Sequence, residues 1–416
     1  MDLLQEREKT ARLNGDKDAS AAILVEIVDA TKTPQETVEA IRQMARKKGQ
    51  LKEALSTMIH HAYRKYISLS PVEIEENSYE TVRLIDIGHA YAQAEEKAPP
   101  SEDKDEFLDF LVLLLTTVVE GRIYMEELRI FITDAIKQIY VKRGDMKKAL
   151  SYVYPVHVET FSSVSMKRIL QYQLEQLRIA ILAREYGQAI LVSQRMSMKQ
   201  LETEPELADY HLNRMLFIHI HRSEYYKIAC IFNTLRIKDE AASKTESIYS
   251  ALAILFCILD IHSAESKQIL VANISSKICQ NDTRVLGDAF TNNLLITEAI
   301  YSTLHTIQEK YGIQGIVQQY IPNIRERVSQ YNIIVISKYY SRIEIARIVE
   351  ILKMQPDEFV EIIVEMIRSK LVEGTISQIE GIIEFKKETN TVESWNRNIN
   401  ACLDAVIKIT HSLNSA

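Results

Sequence analysis

The hydrophobic positions of this 416-residue chain recur every three to four residues along most of its length. Between Ile169 and Leu182, the residues Ile169, Leu170, Tyr172, Leu174, Leu177, Ile179, Ile181 and Leu182 make a broad apolar surface, and Arg168, Glu175, Gln176 and Arg178 supply the polar part. Such a period predicts an amphipathic helix packed on a core. A second pattern repeats: a Gly or small polar turn, followed within a few residues by a helix opening on Ala or Leu. It occurs at Asn14–Leu24, Lys47–Leu55, Lys142–Leu150, Arg184–Val192 and His221–Phe232, the last three spaced by about 40 residues. That interval is the size of a two-helix unit in tetratricopeptide- or HEAT-like solenoids. An irregular helical bundle is the alternative. Pro71–Ser78, Ala98–Asp105 and Asp282–Gly287 read as breaks between helices.

Beyond Pro322 the pattern changes. Residues 324–340 read as one helix. Ser341 is placed to cap a second, Ile343–Met354, with Glu344 at its acidic start. Pro356 and Asp357 open a third over 357–370, with Arg368 and Lys370 at its basic end. The segment that follows, with Gly374 and then Gly381 before Ile382–Phe385, predicts two strands about a tight turn. Helix, helix, hairpin is the order of a winged-helix domain. Last comes a seam: Val392, Trp395, Ile399, Cys402, Val406, Ile409 and Leu413 are separated alternately by three and four residues. This heptad stripe either zips onto partner helices or folds back on its own domain. Its narrowness favours partner helices.

The expected fold is therefore dominated by α-helix. An N-terminal α-solenoid spans 1–235, further helices 236–322, a winged helix with a small β-hairpin 323–390, and a C-terminal heptad helix 391–416. Composition agrees, since only 11 Gly and 8 Pro occur, well below average usage of roughly 7% and 5%. So few punctuating residues disfavour a many-stranded sandwich, barrel or propeller.

Candidate chemistry changes the picture mainly by its absence. No P-loop, H-E-x-x-H or G-x-S-x-G string occurs. His60 and His61 are adjacent, and His219 and His221 are two apart on a helix, so neither pair can share a metal ion. No Asp follows His219–His221 at the spacing that a zinc deubiquitinase motif needs. Four scattered cysteines without a C-x-x-C pair fit reduced thiols. The most apolar stretches, Phe110–Val119 and Ile248–Ile261, are shorter than the roughly 20 residues of a membrane span. The charged N-terminus lacks the apolar core of a signal peptide. Residues 321–390 carry ten Lys/Arg and eleven Asp/Glu within a chain of net charge −7. The helix that would enter a major groove carries Asp357, Glu358, Glu361 and Glu365, so nucleic-acid binding is not expected.

Helical repeats, a winged helix and a heptad helix in that order resemble PCI-domain proteins. Val118–Arg129 (VVEGRIYMEELR), KRGDMKKAL, Val158–Phe161, Leu174–Tyr186, Asn332–Ile343 and Ile379–Phe385 resemble the PCI subunits of the proteasome lid in particular. The COP9 signalosome uses the same architecture and is the alternative. The resemblance implies a non-catalytic scaffold without cofactor or metal, cytoplasmic and nuclear, in a hetero-oligomer. Its implied partners are the other lid subunits, PCI subunits and the zinc deubiquitinase among them, the ATPase ring and the core particle α-ring. Carried over by position, the seam from Val392 to Leu413 joins a helix bundle. Thr375, Ile376, Ile379, Ile382, Ile383 and Phe385 supply a sheet-edge contact. Ser337–Ile343 joins solenoid to winged helix, with Tyr339 and Tyr340 expected in the core.

Overall fold

Helix after helix in this protein ends in the same way, and the way it ends explains the repeat. Gly15, Gly144, Arg184 and Ser223 all have positive φ (71°, 80°, 62° and 53°), the left-handed state that closes a helix. Asp16, Asp145 and Glu185, next in the chain, each donate a backbone N–H five residues back, to Ala11, Tyr140 and Ala180. Asp16 and Asp145 then cap the following helix by accepting from Ala19 and Lys148. One turn thus satisfies the last carbonyls of one helix and the first amides of the next. In the third repeat the left-handed residue is Arg184, and Gly187 sits inside helix Tyr186–Arg195.

The computed structural model describes residues 2–69, 105–242, 247–377 and 379–386, and residues 395, 399, 402, 403 and 406 of the C-terminal segment. The expected loop Pro71–Ser78, and Ala98–Asp105 up to its last residue, lie outside these. The fold is a helical solenoid followed by a winged helix with a small sheet. Three helices of 17 residues, Glu126–Lys142, Met166–Leu182 and Pro205–His221, each open a repeat. The chain divides into two compact units, Met1–Ser223 and Glu224–Ala416. Residue 235, where a boundary was expected, lies within helix Tyr225–Ala241.

In the first unit, Leu24, Ile27, Ile41, Met58, Phe107 and Leu111 form one core, and Leu174, Leu177, Ile179 and Val192 a second. Glu175 and Gln176, read as solvent-facing, are buried. The Gln176 amide donates to the carbonyls of Val153 and Val156, both at 2.8 Å. Glu175 pairs with Arg178 and Lys137. These side chains bond the repeats to one another, which a one-helix periodicity cannot reveal.

In the second unit, the expected break at Asp282–Gly287 is instead helix Asn281–Ala289. Gly287 is there for packing: a Cβ would lie 2.7 Å from the Ile274 side chain. The long helix Gln314–Tyr339 runs straight through Pro322 and starts ten residues earlier than the pattern suggested. After it the expected helix 343–354 is split. Strand β1 is Arg342–Glu344 and helix Ile345–Leu352 follows. Ser341 caps nothing; its carbonyl accepts from Phe385 N–H at 2.8 Å. Helix Pro356–Arg368 leads to β2 (Gly374–Ser377) and β3 (Ile382–Phe385), with Gly381 at φ 64° in the turn. The antiparallel order is β1-β3-β2, with Ile343 and Ile376 both opposite Ile383. Ile343, Ile348, Phe359, Ile363, Met366, Ile383 and Phe385 fill the core beneath. Tyr339 and Tyr340 are not in it: at the end of the helix they are 65% and 44% exposed, and the Tyr339 hydroxyl donates to the Asn293 carbonyl at the surface.

Candidate protein-interaction surfaces

A strand with neighbours on both sides has spent its backbone groups; a strand at an edge has not. β3 is the central strand, so the edge of the hairpin is β2. Of the six residues assigned to a sheet-edge contact, Thr375 and Ile376 lie on β2, and Ile379 stands fully exposed on the turn. Ile382, Ile383 and Phe385 lie on β3, and the last two face the core. They hold the sheet together from inside. Sequence reasoning put them at an edge because it missed β1, which occupies the other side of β3. Gly374 lets the two strands approach, since a Cβ there would be 2.9 Å from the Glu384 carbonyl oxygen. Arg342 ties the exposed face, 3.4 Å from both Glu380 and Glu384.

The C-terminal seam is helical at each described position, and there it is open to solvent. Trp395, Ile399 and Val406 are 71%, 46% and 59% exposed, and Cys402 is exposed with them. Val392, Ile409 and Leu413 lie outside the described residues. Leu403, which a strict heptad count omits, is also exposed. It stands four residues after Ile399, so the apolar stripe is wider than the seam alone.

The string Val118–Arg129 builds a junction between helices. Leu115–Val119 is wound as a π-helix, Gly121 reverses the chain at φ 78°, and a short 3₁₀ turn at Ile123–Met125 delivers Glu126 to the next helix. The Glu126 carboxylate accepts from the Ser162 and Ser163 amides and the Ser163 hydroxyl at 2.7–2.9 Å. Burial pushes this carboxyl up. The Ser163 hydroxyl, the two amides and the Lys52 charge outweigh it, and the group ends below the ordinary carboxylate range. Beside it an open groove of about 460 Å³ is lined by Lys52, His60, Tyr124, Glu127, Phe131 and Arg168, among others.

The histidine pairs singled out in the sequence sit in ordinary contacts. His60 meets Phe131 edge-on, His61 faces Asp29 at 2.8 Å, and His221 stacks on Tyr186. Among the described residues no three His, Cys, Asp or Glu side chains converge as metal ligands, and no helix is long and apolar enough to cross a membrane.

Helical repeats running into a three-stranded winged helix are the architecture of PCI-domain proteins, and two stretches of the chain match family models in that order. Residues 296–387 match the PCI domain, and residues 92–244 match the domain described as PSMD12/CSN4, N-terminal. The chain is similar over nearly its whole length to named subunits of one assembly. It is 22% identical to 26S proteasome regulatory subunit RPN5 of Saccharomyces cerevisiae, over 99% of this chain and 89% of that protein. It is 23% identical to 26S proteasome non-ATPase regulatory subunit 12 homolog A of Arabidopsis thaliana, over 99% and 95%. Against 26S proteasome non-ATPase regulatory subunit 12 of Dictyostelium discoideum it is 23% identical over 72% and 70%.

Proposed function

We propose that the chain is a non-catalytic scaffold subunit of the 26S proteasome regulatory particle lid, supporting degradation of ubiquitinated proteins through protein–protein contacts. The observation that carries this reading is similarity to proteasome regulatory subunits over 99% of the chain. The surfaces are of the right kind: an open strand edge at β2 and an exposed apolar helix after the winged helix. In this reading β2 extends the sheet of a neighbouring PCI subunit. The seam from Trp395 to Val406 enters a bundle of partner helices. The N-terminal repeats face the ATPase ring and core particle, the zinc deubiquitinase is among the neighbours, and the assembly is cytoplasmic and nuclear.

Removing residues 391–416 tests the bundle role. The shortened chain keeps its helical signature and thermal transition, because the described cores contain no residue of that segment, but it fails to enter the particle. Normal incorporation of the shortened chain overturns the bundle role.

A further inference from the structure

The first unit carries a cluster of cations that its fold does not explain. In a chain of net charge −7, Arg42, Arg46, Lys47, Lys48 and Lys52 put five cations and no carboxylate into residues 42–52, at the turn between helices Pro34–Ala45 and Lys52–Tyr66. Two of the five have local partners: Arg42 pairs with Glu39 and Lys47 with Glu8, both at 3.2 Å. Arg46, Lys48 and Lys52 are exposed and form no ion pair among the described residues. Arg46 follows the carbonyl end of its helix, where a cation is favourable. Lys52 opens the next helix, whose N-cap residue Leu51 makes no side-chain cap, and there the amide dipoles oppose a cation. Helix stability therefore gives no reason for Lys52.

The cluster adjoins the groove beside Glu126. Lys52 belongs to both, and Tyr124, which lines the groove, places its hydroxyl 3.5 Å from the Ala45 carbonyl, next to Arg46. Met125, Phe131 and Val164 make part of the groove apolar, and its volume of about 460 Å³ has room for a large side chain. Its other charges are mostly engaged. Arg168 pairs with Asp134 at 2.7 Å. The Glu126 carboxylate, which feels Lys52, is held by Ser162 and Ser163. Glu127 is the one acid on the lining. Unpaired cations at the rim of a partly apolar groove complement a segment that carries carboxylates around an apolar anchor. We infer that the turn and the groove together dock an acidic segment of another protein, with an aromatic side chain in the groove and carboxylates against Arg46, Lys48 and Lys52. A long nucleic acid is disfavoured, since the net negative chain repels it beyond the reach of three cations. The site belongs to the first unit, whereas β2 and the seam belong to the second. The inference holds whichever complex the chain joins.

A fluorescein-labelled peptide, Asp-Glu-Asp-Glu-Phe-Asp-Glu-Asp-Glu, titrated with the purified full-length chain, tests this by fluorescence anisotropy. Saturable binding is expected, weakening as salt rises. Arg46→Glu/Lys48→Glu, at two exposed side chains, weakens it about tenfold with circular dichroism unchanged, and Lys52→Glu weakens it as well. Lys267→Glu/Lys277→Glu makes the same change in net charge at exposed positions of the second unit and leaves binding as it was. Replacing the Phe of the peptide by Ser costs about tenfold through the lost anchor. Absence of saturable binding overturns the inference. So does an equal loss in the Lys267/Lys277 variant, which reduces the effect to net charge, or indifference to the Phe, which empties the groove of its role. Tighter binding of polyuridine RNA than of the peptide, lost in the Arg46/Lys48 variant, also overturns it by assigning the cations to nucleic acid.

Discussion

His211 offers the sharpest quantitative test of the solenoid packing. It lies on helix Pro205–His221, 4% exposed, with Nε2 3.1 Å from the Ser193 hydroxyl and Nδ1 buried without a hydrogen-bond partner. Burial, with a smaller contribution from the His219 charge, pulls its pKa down to about 4 from an ordinary value of 6.5. The native state thus holds this ring neutral while the unfolded state protonates it first. Stability is fully present above the unfolded value and falls as the pH drops from 6.5 towards 4. Between pH 7 and pH 5 the loss is about 2 kcal/mol, equivalent to a roughly 30-fold rise in the open population. Hydrogen exchange of peptides covering 205–221, corrected for intrinsic rates, reads this locally, where a global melt of a two-unit chain would blur it. The substitution His211→Gln retains an amide for Ser193 and removes the titration. The excess acid sensitivity of this helix should disappear in the variant, while other peptides keep their pH profile. Equal sensitivity in both proteins would refute the assignment of a buried neutral imidazole.

Further expectations concern the junction, the packing glycine and the sheet. Glu126→Gln weakens the clamp on Ser162 and Ser163 and costs about 1–2 kcal/mol at neutral pH. Because the native carboxyl is depressed, the difference from the unaltered chain shrinks as the pH falls through its folded value, below the ordinary 4.5; thermal melts at pH 7 and pH 4 check it. Gly287→Val drives a side chain into Ile274 and destabilises the second unit by about 1–3 kcal/mol; adding Ile274→Ala recovers part of the loss in a double-mutant cycle. Ile383→Ala opens a cavity at the centre of the sheet and costs about 2–5 kcal/mol, measured by denaturant titration. Ile399→Asp, exposed in the free chain, leaves its stability unchanged but blocks incorporation into the lid.

Features with a local cause were readable from the residues in order. The repeat turns, helix 357–370 and the hairpin about Gly381 each follow from a cap, a period or a positive-φ residue a few positions away. Features settled by distant contacts were not. β1 is only three residues long and exists because Ile343 meets Ile383, forty positions on. Arg184 takes a left-handed turn usually given to glycine where helices Met166–Leu182 and Tyr186–Arg195 pack in one core. Gln176 looked polar and is buried because its carbonyl partners belong to the preceding helix and the loop after it. Tyr339 and Tyr340 looked apolar enough for a core, yet they stand at the surface where their helix gives way to the sheet. In the C-terminal segment the described seam positions Trp395, Ile399, Cys402 and Val406 are helical and exposed, and Leu403, four residues after Ile399, lies outside the heptad count but is exposed with them.

The most direct test of the central reading is the company the chain keeps. The full-length protein, tagged and purified intact from its own cells, should bring down proteasome lid, ATPase and core particle subunits in fixed proportion by quantitative mass spectrometry. Recovery with a cullin-deneddylating assembly and no proteasome subunits, or recovery alone, would contradict it.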